Sequence, residues 1–105
     1  MKTDFEKEIA SITQQIIEKF KPERIILFGS ATRGEWGSDS DADFLIIKKD
    51  TPLHGDERIR ELSRMIDRSI PVDFLVYRPE EFSKRFQMGD PFLKGIIREG
   101  KVLYG

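Results

Sequence analysis

Cysteine is absent from the 105 residues, which excludes disulfides, zinc-thiolate centres and thiol nucleophiles and suits the chain to a reducing cytoplasm. Long apolar runs are missing as well. The longest spans four residues, against the roughly 20 that a membrane helix requires, and the opening MKTDFEKE carries acids where a secretory leader is apolar. A surplus of one charge is also lacking, with 18 basic residues against 19 acidic, so bulk attraction to a polyanion is weak and direct nucleic-acid binding is disfavoured. Neither GxxxxGK[ST] nor GxGxxG occurs, which removes the P-loop and Rossmann phosphate sites. Without repeats, low-complexity tracts or linkers, residues 1–105 are expected to form a single cytoplasmic domain with no membrane contact.

What the sequence does contain is a regular alternation of elements. Thr3 and Glu6 make a capping box, and Phe5, Ile9, Ile12, Ile16 and Phe20 recur at helical spacing until Lys21-Pro22. RIILF, residues 24–28, is short, β-branched and bounded by Pro22 and Gly29, as a buried strand is. DFLII, 43–47, and VDFLVY, 72–77, read as two more. Between Gly55 and Ser69 the residues Ile59, Leu62 and Ile66 mark a helix face, with Asp56 as the expected N-cap. Pro79 and Pro91 open two short helices that end at Gly89 and Gly100, and KVLY adds an edge strand.

This order gives an α+β fold, a small mixed β-sheet with helices packed on it. The crossover helix makes the strands at Asp43 and Val72 parallel, so Asp41, Asp43 and Asp73 come to one end of the sheet. An antiparallel first strand delivers Gly29-Ser30 to the same end. Residues two apart on a strand share a face, and two unit charges ~4 Å apart repel by roughly 4 kcal/mol at an effective dielectric of 20. Three such carboxylates demand either protonation or a cation, and oxygen-only ligands select Mg²⁺, Mn²⁺ or Ca²⁺ over zinc. DSDAD imitates the start of an EF-hand loop, but Phe44 stands where the turning glycine belongs and an apolar strand follows, so that motif is rejected. Gly29-Ser30 offers N–H groups and a hydroxyl to a phosphate, and Ser30 equally suits an ordinary helix cap.

Gly29-Ser30, ten residues, Asp41-x-Asp43 on an apolar strand and Asp73 on the next strand together closely resemble the minimal nucleotidyltransferases of the DNA-polymerase-β-like superfamily. Thr32-Arg33-Gly34 partly matches that family's Ala-Arg-Gly, and GDPFLKGIIREGKVLYG is similar to its C-terminal end, so the resemblance spans nearly the whole chain. It implies the polymerase-β-like fold and transfer of a nucleoside monophosphate, AMP from ATP, onto a hydroxyl with loss of pyrophosphate. Carried over by position, Gly29 and Ser30 hold the β and γ phosphates, and Asp41 and Asp43 bind two Mg²⁺ ions, with Mn²⁺ a substitute. Asp73 completes the metal site and takes the proton of the attacking hydroxyl. Arg33 contacts phosphate or else pairs with Asp39 or Glu35. The resemblance further implies a HEPN-domain toxin as partner, adenylylated on a tyrosine by this chain acting as antitoxin; the alternative is a binding module that neutralises the partner by covering it.

The remaining polar residues receive plainer roles. Asp39 is assigned to the loop, Trp36 to a lid on the core and His54 to solvent. Arg60, Arg64 and Arg68 form a basic stripe laced to Glu57 and Glu61.

Overall fold

The computed structural model describes residues 4–33 and 41–105, without the side chain of Arg33. Thr3, Gly34, Glu35, Trp36 and Asp39 lie outside the described residues.

Helix α1 (Asp4–Gln15) carries Ile9 and Ile12 into the core and continues as a π-helical turn, Ile16–Phe20. That turn closes where Lys21, at φ 54, donates its N–H to the Ile16 carbonyl at 3.2 Å, and Pro22 forbids further helix. Strand β1 (Arg24–Phe28) leads into a short 3₁₀ turn, Gly29–Arg33, and β2 (Ala42–Ile47) follows. Next come α2 (Gly55–Met65), β3 (Val72–Tyr77), α3 (Pro79–Gln87), α4 (Pro91–Glu99) and β4 (Lys101–Tyr104).

The sheet order is β3-β2-β1-β4. β2 and β3 are parallel, and β1 runs antiparallel to both β2 and β4, as the crossover argument requires. Both faces of the sheet are covered. Ile25, Leu27, Phe44, Ile46, Phe74 and Val76 point toward α1 and α2. Ile26, Leu45 and Leu75 point the other way, toward α3 and α4. This two-sided burial is why β1 and β2 read as unbroken apolar runs, and each fully buried Ile or Leu contributes about 1.5–3 kcal/mol relative to exposure. α4 is started by Asp90, whose Oδ1 accepts the N–H groups of Phe92 at 2.9 Å and Leu93 at 3.3 Å. Among the described residues no helix is long and apolar enough to cross a membrane.

Three local expectations are corrected. β2 begins at Ala42, whose N–H donates to the Pro71 carbonyl, so Asp41 stands just ahead of the strand. Asp56 is not the cap of α2: His54 occupies the N-cap position with extended backbone and no side-chain bond, while Asp56 pairs with Arg60 at 3.4 Å in the first turn. The basic stripe is broken, because α2 ends at Met65 and Arg68 folds back to donate to the Ser63 and Ile66 carbonyls, both at 3.1 Å.

Candidate active site

Register builds the site. Asp43 is the cross-strand partner of Phe28 on one side and of Asp73 on the other, so the two carboxylates lie side by side on neighbouring strands. Both fall on the face shared by Leu45 and Leu75, the face that α3 and α4 cover further along the strands. Asp41, two residues before Asp43 and just ahead of the strand, is exposed and near enough for its charge to act on Asp43. Asp73 is exposed and Asp43 is half-buried.

The charges are coupled. Burial raises the Asp43 carboxyl above its ordinary value of 3.8, and the negative charges of Asp73 and then Asp41 raise it further. A hydrogen bond with Asp73 acts in the same direction, because only a protonated carboxyl can donate it. The structure therefore brings Asp41, Asp43 and Asp73 within electrostatic reach of one another at one end of the sheet.

Gly29 reaches this cluster from β1. Its φ of 81 lies in the left-handed region, and a Cβ placed on it would run into the Asp43 carboxylate, so the backbone can pass the acid only without a side chain. The turn is closed by Thr32, whose Oγ1 donates to the Gly29 carbonyl at 2.7 Å, with Ser30 half-buried between them. Gly29→Ala is expected to cost about 1–3 kcal/mol from backbone strain, with displacement of Asp43 added, and chemical denaturation measures it. Of the residues expected to bind phosphate, Gly29 lies against the Asp43 carboxylate, Ser30 follows it in the turn, and the side chain of Arg33 lies outside the described residues.

The donor set fits a hard divalent cation. It is all oxygen, the chain has no cysteine, and its one histidine, His54, sits exposed at the start of α2. Among the described residues no three acidic, imidazole or thiol side chains are grouped closely enough to hold a metal ion as they stand. A groove of about 870 Å³ lined by Arg58, Tyr77, Glu81, Arg85 and Met88 opens at the other end of β3 and contains none of the three acids.

Pattern reading passed over two features. Arg58 is 3% exposed, although it lies next to Ile59 in the periodic apolar pattern. An arginine four residues before the buried Leu62 was the available signal. Phe28 closes the RIILF run in the sequence pattern, and antiparallel pairing to β2 sets it opposite Asp43.

Known proteins resemble this arrangement. Residues 9–104 match the family described as the nucleotidyltransferase domain. Two candidate protein adenylyltransferases of Methanocaldococcus jannaschii are similar in sequence. One is 43% identical over 49 residues, covering 47% of this chain and 44% of its own length. The other is 28% identical over 102 residues, covering 94% of this chain and 97% of its own. A crystal structure of a candidate nucleotidyltransferase from Sulfolobus solfataricus superimposes with a TM-score of 0.56 at 26% identity, over 80% of this chain and 81% of that one.

Proposed function

The chain belongs to the nucleotidyltransferase domain family, and from that premise we propose that it transfers AMP from ATP to a hydroxyl of a partner protein, releasing pyrophosphate. The observation that carries the reading is the register pairing of Asp43 with Asp73 directly beside Gly29-Ser30. In the proposed reaction the acceptor oxygen attacks the α-phosphorus, the bond to the bridging oxygen breaks, and pyrophosphate leaves. Asp73, the more exposed of the paired acids, accepts the hydroxyl proton. Gly29 and Ser30 offer backbone N–H groups and a hydroxyl to the β and γ phosphates, at a turn where only a residue without a Cβ fits beside the Asp43 carboxylate. Asp41, Asp43 and Asp73 are the residues that would hold divalent ions, Mg²⁺ or Mn²⁺. When bound, such ions neutralise the triphosphate and lower the pKa of the attacking hydroxyl.

A protein acceptor and an adenylyl group are favoured by the names of the two archaeal relatives. A tyrosine of a HEPN-domain toxin, with this chain as its antitoxin, is the specific acceptor proposed. The test is to co-express the partner toxin with this chain or with its Asp41→Asn variant. The reading expects growth rescue by the wild type and at least a tenfold loss of rescue with the variant. Full rescue by Asp41→Asn would mean that covering the partner suffices and transfer is not required.

A further inference from the structure

Among the described residues α4 leaves two large apolar side chains exposed, Phe92 and Ile97. On α4, Leu93 and Ile96 are buried against the sheet, but the Phe92 ring in the first turn is 51% exposed. It is nonetheless held in place. Its N–H is bound by Asp90, and its ring meets Phe28 edge to face, with centroids 5.8 Å apart and planes at 88°. Such a perpendicular pair uses at most one face of each ring, so the exposed Phe92 ring keeps a face free.

The address of that free ring is informative. Phe28 is the register partner of Asp43 and immediately precedes Gly29-Ser30. Phe28, Asp43 and Asp73 project from the same face of the sheet, the one on which α4 lies. From Asp43 to Phe92 is therefore one strand spacing and one ring contact, roughly 10 Å. That separation is within the span of a nucleotide from its phosphates to its base.

Resting on the nucleotidyltransferase reading, we propose that Phe92, backed by Phe28, is the platform on which the nucleobase stacks while the triphosphate lies over Gly29-Ser30 and the aspartates. A ring face attracts any base, because every base has a π-face, and it reads no hydrogen-bond edge. The platform therefore makes this site tolerant of base identity, with purines ahead of pyrimidines because they cover more of the ring.

The test compares two ligands that differ by the nucleoside, Mg²⁺-ATP and Mg²⁺-tripolyphosphate, by calorimetry on the full chain. Phe92→Leu keeps an apolar side chain against Phe28 but removes the ring face, and Phe92→Tyr keeps the face; unchanged melting temperatures verify that both fold. The proposal expects Phe92→Leu to weaken ATP binding about tenfold, leave tripolyphosphate binding unchanged, and Phe92→Tyr to bind ATP as the wild type does. Unaltered ATP affinity in Phe92→Leu, or an equal loss for both ligands, would overturn the platform while leaving the nucleotidyltransferase reading intact. Failure of the wild type to bind either ligand would overturn both.

Discussion

Asp43→Asn is expected to reduce nucleotidyl transfer by about a thousandfold while making the metal-free protein more stable. Opposite signs from one substitution are the mark of a charge kept for binding. Asp43 is half-buried beside Asp73 and within reach of Asp41, and its carboxyl is raised by burial and by both neighbours. Removing the charge relieves repulsion worth about 0.5–1 kcal/mol once solvent screening of the partly exposed group is allowed for. The same removal deletes the carboxylate oxygen proposed to hold a divalent ion, which an amide replaces poorly.

The pH dependence follows in sign. A carboxyl whose folded pKa is raised above 3.8 binds its proton more tightly in the native state, so the metal-free protein gains stability as pH falls through the window above 3.8 and loses it as pH rises. Asp43→Asn lacks this component, so its advantage in chelator is greatest near neutral pH and shrinks on acidification. Glu81 works the other way. Its carboxyl is held below 4.5 by the Arg58 hydrogen bond, so its contribution is present above that value and is lost as pH falls through its depressed folded pKa. Melting curves of the two proteins from neutral to acidic pH separate the effects, because only the Asp43 component differs between them.

The largest loss of stability is expected at Arg58. Nη1 donates to the Val76 carbonyl at 3.2 Å and to Glu81 Oε1 at 2.7 Å, and Nη2 donates to the Leu53 carbonyl at 2.9 Å and to Glu81 Oε2 at 3.1 Å. Nε donates to the Pro52 carbonyl, so the guanidinium is fully used. Glu81 also accepts the Arg78 N–H at 2.8 Å, starting α3. One side chain thus ties together the 52–53 connection, β3 and α3. Arg58→Met removes the fork and leaves three carbonyls and a carboxylate without their partner, at an expected cost of about 3–5 kcal/mol. Against a total stability of about 5–15 kcal/mol for a domain of this size, that is a large fraction. Arg58→Lys is expected to recover little, because an ammonium cannot reproduce the planar fork. Chemical denaturation measures both, and a loss below about 1 kcal/mol for Arg58→Met would show that the network is not the joint described.

The strands were readable because their chemistry is local. RIILF and VDFLVY are β-branched, flanked by breakers, and occupy the spans that the expectation gave them. The neighbourhood of Asp43 and Asp73 was readable because a helical crossover forces parallel pairing, which leaves only register to be set. Arg58 was not readable, because an apolar-versus-polar pattern assigns arginine to solvent and only the tertiary fold supplies the carbonyls that satisfy it. The break after Met65 was missed for a related reason: Ile66 continues the helical spacing, but its buried side chain is placed by extended backbone instead. Phe92 was hidden because its spacing suits an amphipathic helix, and its exposure depends on where Asp90 starts that helix.

The most direct test uses ATP labelled at either the α or the γ phosphate, with Mg²⁺ and the proposed HEPN-domain partner as acceptor. Stable label on the partner from the α position alone, with one pyrophosphate released per group transferred and none of it with Asp73→Asn, is the predicted result. Label from the γ position, or α-label transfer that survives Asp73→Asn, would contradict the account.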